Sequence, residues 1–96
     1  MVNRNAVEAF ITKDASEIRE ILAPRNSSIK NQSLAEARVL PGKSTEEHCH
    51  PVAEEIYYII DGVGRIRIDG EERDVVHGDG IVLLPGVRHK LWNTGK

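Results

Sequence analysis

The stretch "HCHPVAEEIYYIIDG", residues 48–62, decides how the rest of the chain is read. Two histidines flank one residue, two carboxylates follow, and an apolar run closes at an Asp-Gly turn. On an extended chain alternate side chains share a face, so His48 and His50 aim at one point. Pro51 cannot continue a central ladder and breaks the strand. The chain re-enters as "EEIYYII", and a carboxylate at the start of that strand can come back to the histidine face. Either these groups hold a metal, or they form a polar rim around a core strand.

Outward from this stretch, the punctuation from Ser33 onward is that of an all-β protein. "SLAEARVL" alternates and stops at Pro41-Gly42. "EIYYII" stops at Asp61-Gly62, and "RIRI" runs into Asp69-Gly70, a tight-hairpin signal because both positions tolerate positive φ. "ERDVV" stops at His77-Gly78, "IVLL" at Pro85-Gly86, and "HKLWN" follows. Short strands between closely spaced Gly and Pro turns point to a small sandwich or barrel. Residues 1–15 read as a polar arm. "SEIREIL", residues 16–22, is short for a helix and is closed by Pro24, which favours a strand; a helix capped by Asp14 is the alternative.

"IYYII" and "IVLL" are apolar on successive positions, hence on both faces of their strands. One face must line the core, and the other must be covered by the N-terminal arm or by a second subunit. A homodimer is the expectation that follows.

Ninety-six residues fit one domain, residues 1–96. The formal charge of −2 is spread over mixed acids and bases with no basic block, and aromatic residues are few, which argues against nucleic acid. No apolar run approaches the ~20 residues of a membrane span, and the N-terminus lacks a signal-peptide core. A cytoplasmic protein without a membrane contact is expected. Cys49 is the one cysteine, so no internal disulfide can form.

A further imidazole, His89, lies just after the Pro85-Gly86 turn. Three neutral imidazoles and a carboxylate make a suitable set for a divalent first-row metal. Taken singly each has a blander reading: an HxH pair on a strand is common, Glu54 and Glu55 suit a strand entry, and His89 suits a surface. The joint pattern carries the case.

In that pattern the sequence resembles the cupin superfamily. Residues 42–62, "GKSTEEHCHPVAEEIYYIIDG", resemble the first cupin motif, with Gly42, His48, His50, Glu55 and Gly62 in register. The spacing to Gly62 selects Glu55 over Glu54. Residues 78–93, "GDGIVLLPGVRHKLWN", resemble the second, with Gly78, Gly86, His89 and Asn93 in place; Leu84 stands at the motif's Pro position, with Pro85 one place later. The resemblance covers roughly residues 33–93, which would form the core barrel. It implies a cupin-type double-stranded β-helix, a jelly-roll barrel, with His48, His50, Glu55 and His89 as metal ligands. Small cupins usually continue with another strand beyond the point where Lys96 stands, so a partner, further chain or the N-terminal segment would complete the edge.

Such a ligand set leaves open positions for water or substrate and suits Zn, Mn, Fe, Ni or Cu. Two functions follow from the resemblance. One is a mononuclear metalloenzyme of isomerase or dioxygenase type acting on a small polar molecule, a sugar derivative or an organic acid. The other is a non-catalytic module that binds a small molecule, with the metal holding the ligand or stapling the barrel. Tyr57 shares the inward face with Glu55 and could orient substrate or donate a proton, though a core aromatic is the commoner role. Arg65 and Arg67 lie opposite Ile66 and Ile68; inward isoleucines would leave the arginines in solvent. Cys49 is expected to be buried and to point away from the histidines, His77 to be exposed, and Trp92 to pack at a barrel end or in a subunit contact.

Overall fold

The computed structural model describes residues 1–96 as an all-β fold. Its strands are β1 (Phe10–Ile11), β2 (Glu17–Leu22), β3 (Leu34–Arg38), β4 (Glu55–Tyr58), β5 (Val63–Ile68), β6 (Glu71–Val76), β7 (Gly80–Leu83) and β8 (His89–Asn93). The only helical element is a 3-10 turn at Arg4–Ala6. No helix is long and apolar enough to cross a membrane.

Turn chemistry sets where the strands stop. Asp69 and Gly70 take φ of 47° and 86° and close the β5–β6 hairpin, as that dipeptide favours. Leu40–Lys43 and Leu84–Val87 are matching turns: Lys43 donates to the Leu40 carbonyl at 3.0 Å and Val87 to Leu84 at 3.2 Å. Each has Pro at its second position and a Gly at its third, with φ of 77° at Gly42 and 80° at Gly86, the residues a type II turn demands. The displaced Pro85 is thus accommodated inside the turn.

All pairings are antiparallel. One sheet has the order β1-β2-β3, a ribbon pairs β4 with β7, and a third sheet has the order β6-β5-β8. Register places Gly64, Ile66 and Ile68 of β5 opposite Asn93, Leu91 and His89 of β8, so these six share the inward face. Ile66, Val75, Leu83 and His89 are buried there. Arg65 and Arg67 take the outward face, where Arg65 pairs with Glu72 and Asp74 and Arg67 with Glu47. Trp92 lies on that outer face between Arg67 and Lys90, whose charges sit 5.3 and 5.2 Å from its ring centroid, an electrostatically favourable arrangement. An open cleft of about 470 Å³ between β5, β6 and β7, lined by Ile66, Ile68, Val75 and Ile81 among others, has no histidine in its lining.

One expectation for the N-terminal half is borne out, the strand at residues 16–22, and one alternative, the covering arm, is not. The arm does not cover the β4–β7 ribbon: β1 instead pairs with β2, Phe10 opposite Ile18. Consequently the ribbon's outer face is bare, with Ile56 74%, Tyr58 66%, Ile60 73% and Val82 61% exposed. Its inner face carries Glu55, Tyr57, Ile81 and the buried Leu83. "SEIREIL" is the strand β2, not a helix.

Candidate metal centre

His89 opens β8 and is 1% exposed, fixed by the ladder to β5, where it pairs with Ile68. The segment that carries the other two histidines is held differently. Residues 42–48 run along the free side of β8, with bridges at Ser44–Trp92 and His48–His89. Four steps on one side match three on the other, so the segment contains a one-residue bulge between them. The sequence expectation of a regular strand through His48 and His50 is corrected accordingly. A bulge re-aims the side chains that follow it. His48 and His89 exchange backbone bonds of 3.1 and 2.9 Å, and Gly86 donates to the His50 carbonyl at 2.8 Å. The type II turn before β8 therefore anchors the end of the histidine segment.

These supports bring four groups together. Ligand atoms of His48, His50, Glu55 and His89 all lie within 4.8 Å of one another. Glu55 Oε1 is 3.6 Å from His50 Nε2 and 3.4 Å from His89 Nε2. Glu54, one residue earlier, is exposed and outside the cluster. Ligands on opposite sides of one ion stand at most ~4.2 Å apart, so about half an ångström of closure would complete the set.

The hydrogen-bond chemistry of the cluster argues for a cation. His48 Nδ1 is 2.8 Å from the Glu46 carbonyl and His89 Nδ1 is 3.2 Å from that of Val87. A carbonyl only accepts, so both Nδ1 atoms carry a proton, which in a neutral imidazole leaves Nε2 as the acceptor. Those two Nε2 atoms face each other at 3.0 Å. Two lone pairs at that distance repel unless a positive charge lies between them. His50 Nε2 and Glu55 Oε1 are also buried without a hydrogen-bond partner. A buried polar atom without a partner costs about 1–3 kcal/mol, and a metal ion held by the four groups would satisfy both of these. Burial also lowers the pKa of His89, against the opposing pull of its bond to Val87, which favours the neutral, ligating form.

Tyr57 packs edge-on to His89, with ring centroids 5.8 Å apart. Burial and the Glu55 charge push its phenol well above the usual tyrosine range. It stays protonated, a hydrogen-bond donor and not a base. Cys49 is exposed, contrary to the expectation of a buried thiol, because the bulged segment has no covering layer on that side. His77 is exposed. Arg67 and Arg88 both pair with Glu47, at 3.0 and 3.5 Å, and Arg65 pairs with Glu72 and Asp74.

Two residues support the centre in a way that no sequence signal indicated. Glu47 ties the bulge to β5 and to the turn before β8, and Asp14 ties it to the loop between β1 and β2.

Residues 35–96 match the model of the Cupin domain family. An uncharacterised protein of Methanocaldococcus jannaschii, MJ1618, is 45% identical over 89 residues, covering 93% of this chain and 71% of that protein. The oxalate-binding protein of Thermotoga maritima is 30% identical over 83 residues, 86% of this chain and 69% of its own. The chain spans only 57% of Protein SchB from Streptomyces halstedii, 30% identical over 79 residues and 82% of this chain. Among solved structures, a predicted oxalate decarboxylase from Thermotoga maritima superposes with a TM-score of 0.89 at 24% identity, covering 100% of this chain and 89% of that one.

Proposed function

This chain belongs to the cupin family, and on that premise we propose that it is a single-domain mononuclear metalloprotein that binds a small organic acid at the metal. His48, His50, Glu55 and His89 are the ligands. The observation that supports this most is the convergence of the four groups, with the Nε2 atoms of His48 and His89 facing each other at 3.0 Å. A bound divalent ion of the Zn, Mn, Fe, Ni or Cu class would supply Lewis acidity and positive charge for a carboxylate. The nearby arginines are engaged with Glu47, Glu72 and Asp74, so the anion's counter-charge comes from the site's ion. Tyr57, kept protonated, donates a hydrogen bond to the bound acid. The name of the oxalate-binding relative supports oxalate as the first acid to try. Ligand binding without turnover fits a site whose one extra polar group is not a base; isomerase or dioxygenase chemistry is the alternative. A cytoplasmic location completes the reading.

The bare face of the β4–β7 ribbon supports a homodimer. Its stripe of Ile56, Tyr58, Ile60 and Val82 can lie against itself across a two-fold axis, as isologous interfaces do. Sedimentation should give a dimer that Tyr58→Glu converts to monomer; a monomeric parent chain ends this part of the reading.

Metal content by mass spectrometry, on tag-free protein never exposed to chelator, tests the centre. About one equivalent per chain is expected. Glu55→Gln should lower metal affinity at least ~10-fold while Glu54→Gln leaves it unchanged. Equal losses would break the assignment. Calorimetric titration with oxalate should give heat with the metal-loaded protein and none after stripping.

A further inference from the structure

The bulge that aims His48 is bought with hydrogen bonds from outside its sheet. Its extra residue leaves backbone groups that no ladder partner can satisfy. At Glu46 both find other partners: the N–H donates to Asp14 Oδ2 at 2.8 Å, and the carbonyl accepts from His48 Nδ1 at 2.8 Å. Asp14 thus stands one residue's backbone away from a ring nitrogen of the metal cluster, although 34 positions separate it from His48 in sequence.

Asp14 is itself held in place. Its other oxygen, Oδ1, accepts from the Thr12 hydroxyl and from the Ser16 N–H at 3.1 Å. Thr12 N–H donates to the Ser16 carbonyl at 2.8 Å, and Ala15 takes a φ of 67° to close the loop. Ser16 is buried. These bonds hold the Asp14 carboxyl well below the usual carboxylate range, so it remains charged as an acceptor.

We propose that Asp14 is a positioning residue for the metal centre: its carboxylate pins the bulge at Glu46, and the pinned carbonyl fixes the tautomer and direction of the His48 ring. The action is mechanical. Glu46 N–H and Glu46 C=O belong to different peptide planes joined at one Cα, so no conjugation links Asp14 to the imidazole. What passes between them is the position of the Glu46 carbonyl. This rests on the reading of His48 as a ligand. Outer groups that orient a ligating histidine typically matter 10–100-fold in affinity.

The discriminating variant is Asp14→Asn. With its amide oxygen kept toward Thr12 and Ser16, its NH2 would face the Glu46 N–H, so the loop survives while the link is lost. Thr12→Ala is the converse: it weakens the loop and spares the Asp14–Glu46 bond. Cobalt(II) titration followed by visible absorption, thermal unfolding, and nitrogen-15 NMR of the His48 ring in the metal-free protein are compared across the set. Asp14→Asn should weaken cobalt binding about 10-fold, change the cobalt bands, and reduce the Nδ1-protonated form of His48. Thr12→Ala should lower the unfolding temperature with affinity within about 2-fold of the parent, well short of that loss. Asp14→Ser, which also lacks the second oxygen, serves if the Asn variant does not fold. Parental affinity and an unchanged His48 ring in Asp14→Asn would overturn the proposal. So would an equal loss in Thr12→Ala, which would make the loop plain scaffolding. If the parent chain binds no cobalt, the metal reading fails on its own, and the His48 ring signal still decides for or against Asp14.

Discussion

The two segments that supply imidazoles are built on different principles. His89 sits in a regular ladder, buried to 1% exposure, with Ile68 as its cross-strand partner. His48 and His50 sit on a bulged segment pinned by a bridge, a turn and three side chains from elsewhere: Asp14, Arg67 and Arg88 through Glu47. A ladder is rigid because every residue repeats the same bond. A pinned bulge is rigid only where something holds it. The contrast shows that one half of the centre is a by-product of the sheet, whereas the other half is separately supported and separately breakable.

The strongest way to break the rigid side is Gly64→Ala. A Cβ at Gly64 would lie 2.5 Å from the Trp92 carbonyl oxygen, and backbone in a paired strand cannot step aside cheaply. The expected loss is about 2–3 kcal/mol in urea unfolding, the upper part of the overpacking range. A neutral result would mean that β8 is as adjustable as the bulge. Less costly is His89→Ala, which should remove about 1–2 kcal/mol from the metal-free protein together with metal binding, since it truncates a buried side chain. His50→Ala should sharpen the contrast from the other side: metal affinity falls comparably, yet metal-free stability moves by less than about 0.5 kcal/mol. Equal stability losses at His89 and His50 would erase the distinction.

How much of this was legible in the sequence divides along the same line. The ladder side could be read locally. Asp69-Gly70 encodes its hairpin, and Ile66 and Arg65 encode which way β5 faces, while the resemblance to the first cupin motif picks Glu55, which the fold turns toward the imidazoles as Glu54 stays in solvent. The pinned side could not be read this way. The bulge depends on the register between residues 44–48 and β8, some forty positions away, and no residue type near Glu46 announces it. The burial expected for Cys49 failed for the same reason: alternation predicts burial only in a regular strand with a layer on each side. The arm misled because its apolar pair, Phe10 and Ile11, is too short to reveal that it would pair with β2. Asp14 reads in sequence as a loop or capping residue, and only the three-dimensional path of the chain brings it to Glu46.

The exposure of Cys49 has a practical side. It is the one thiol in the chain and lies between two of the four clustered residues, facing solvent. A maleimide dye attached there would be one residue from His48 and one from His50. Its emission would be quenched by a paramagnetic cobalt or copper ion and left bright by zinc. The molecule therefore carries its own attachment point for an optical gauge of metal loading, and no cysteine has to be removed or introduced to use it.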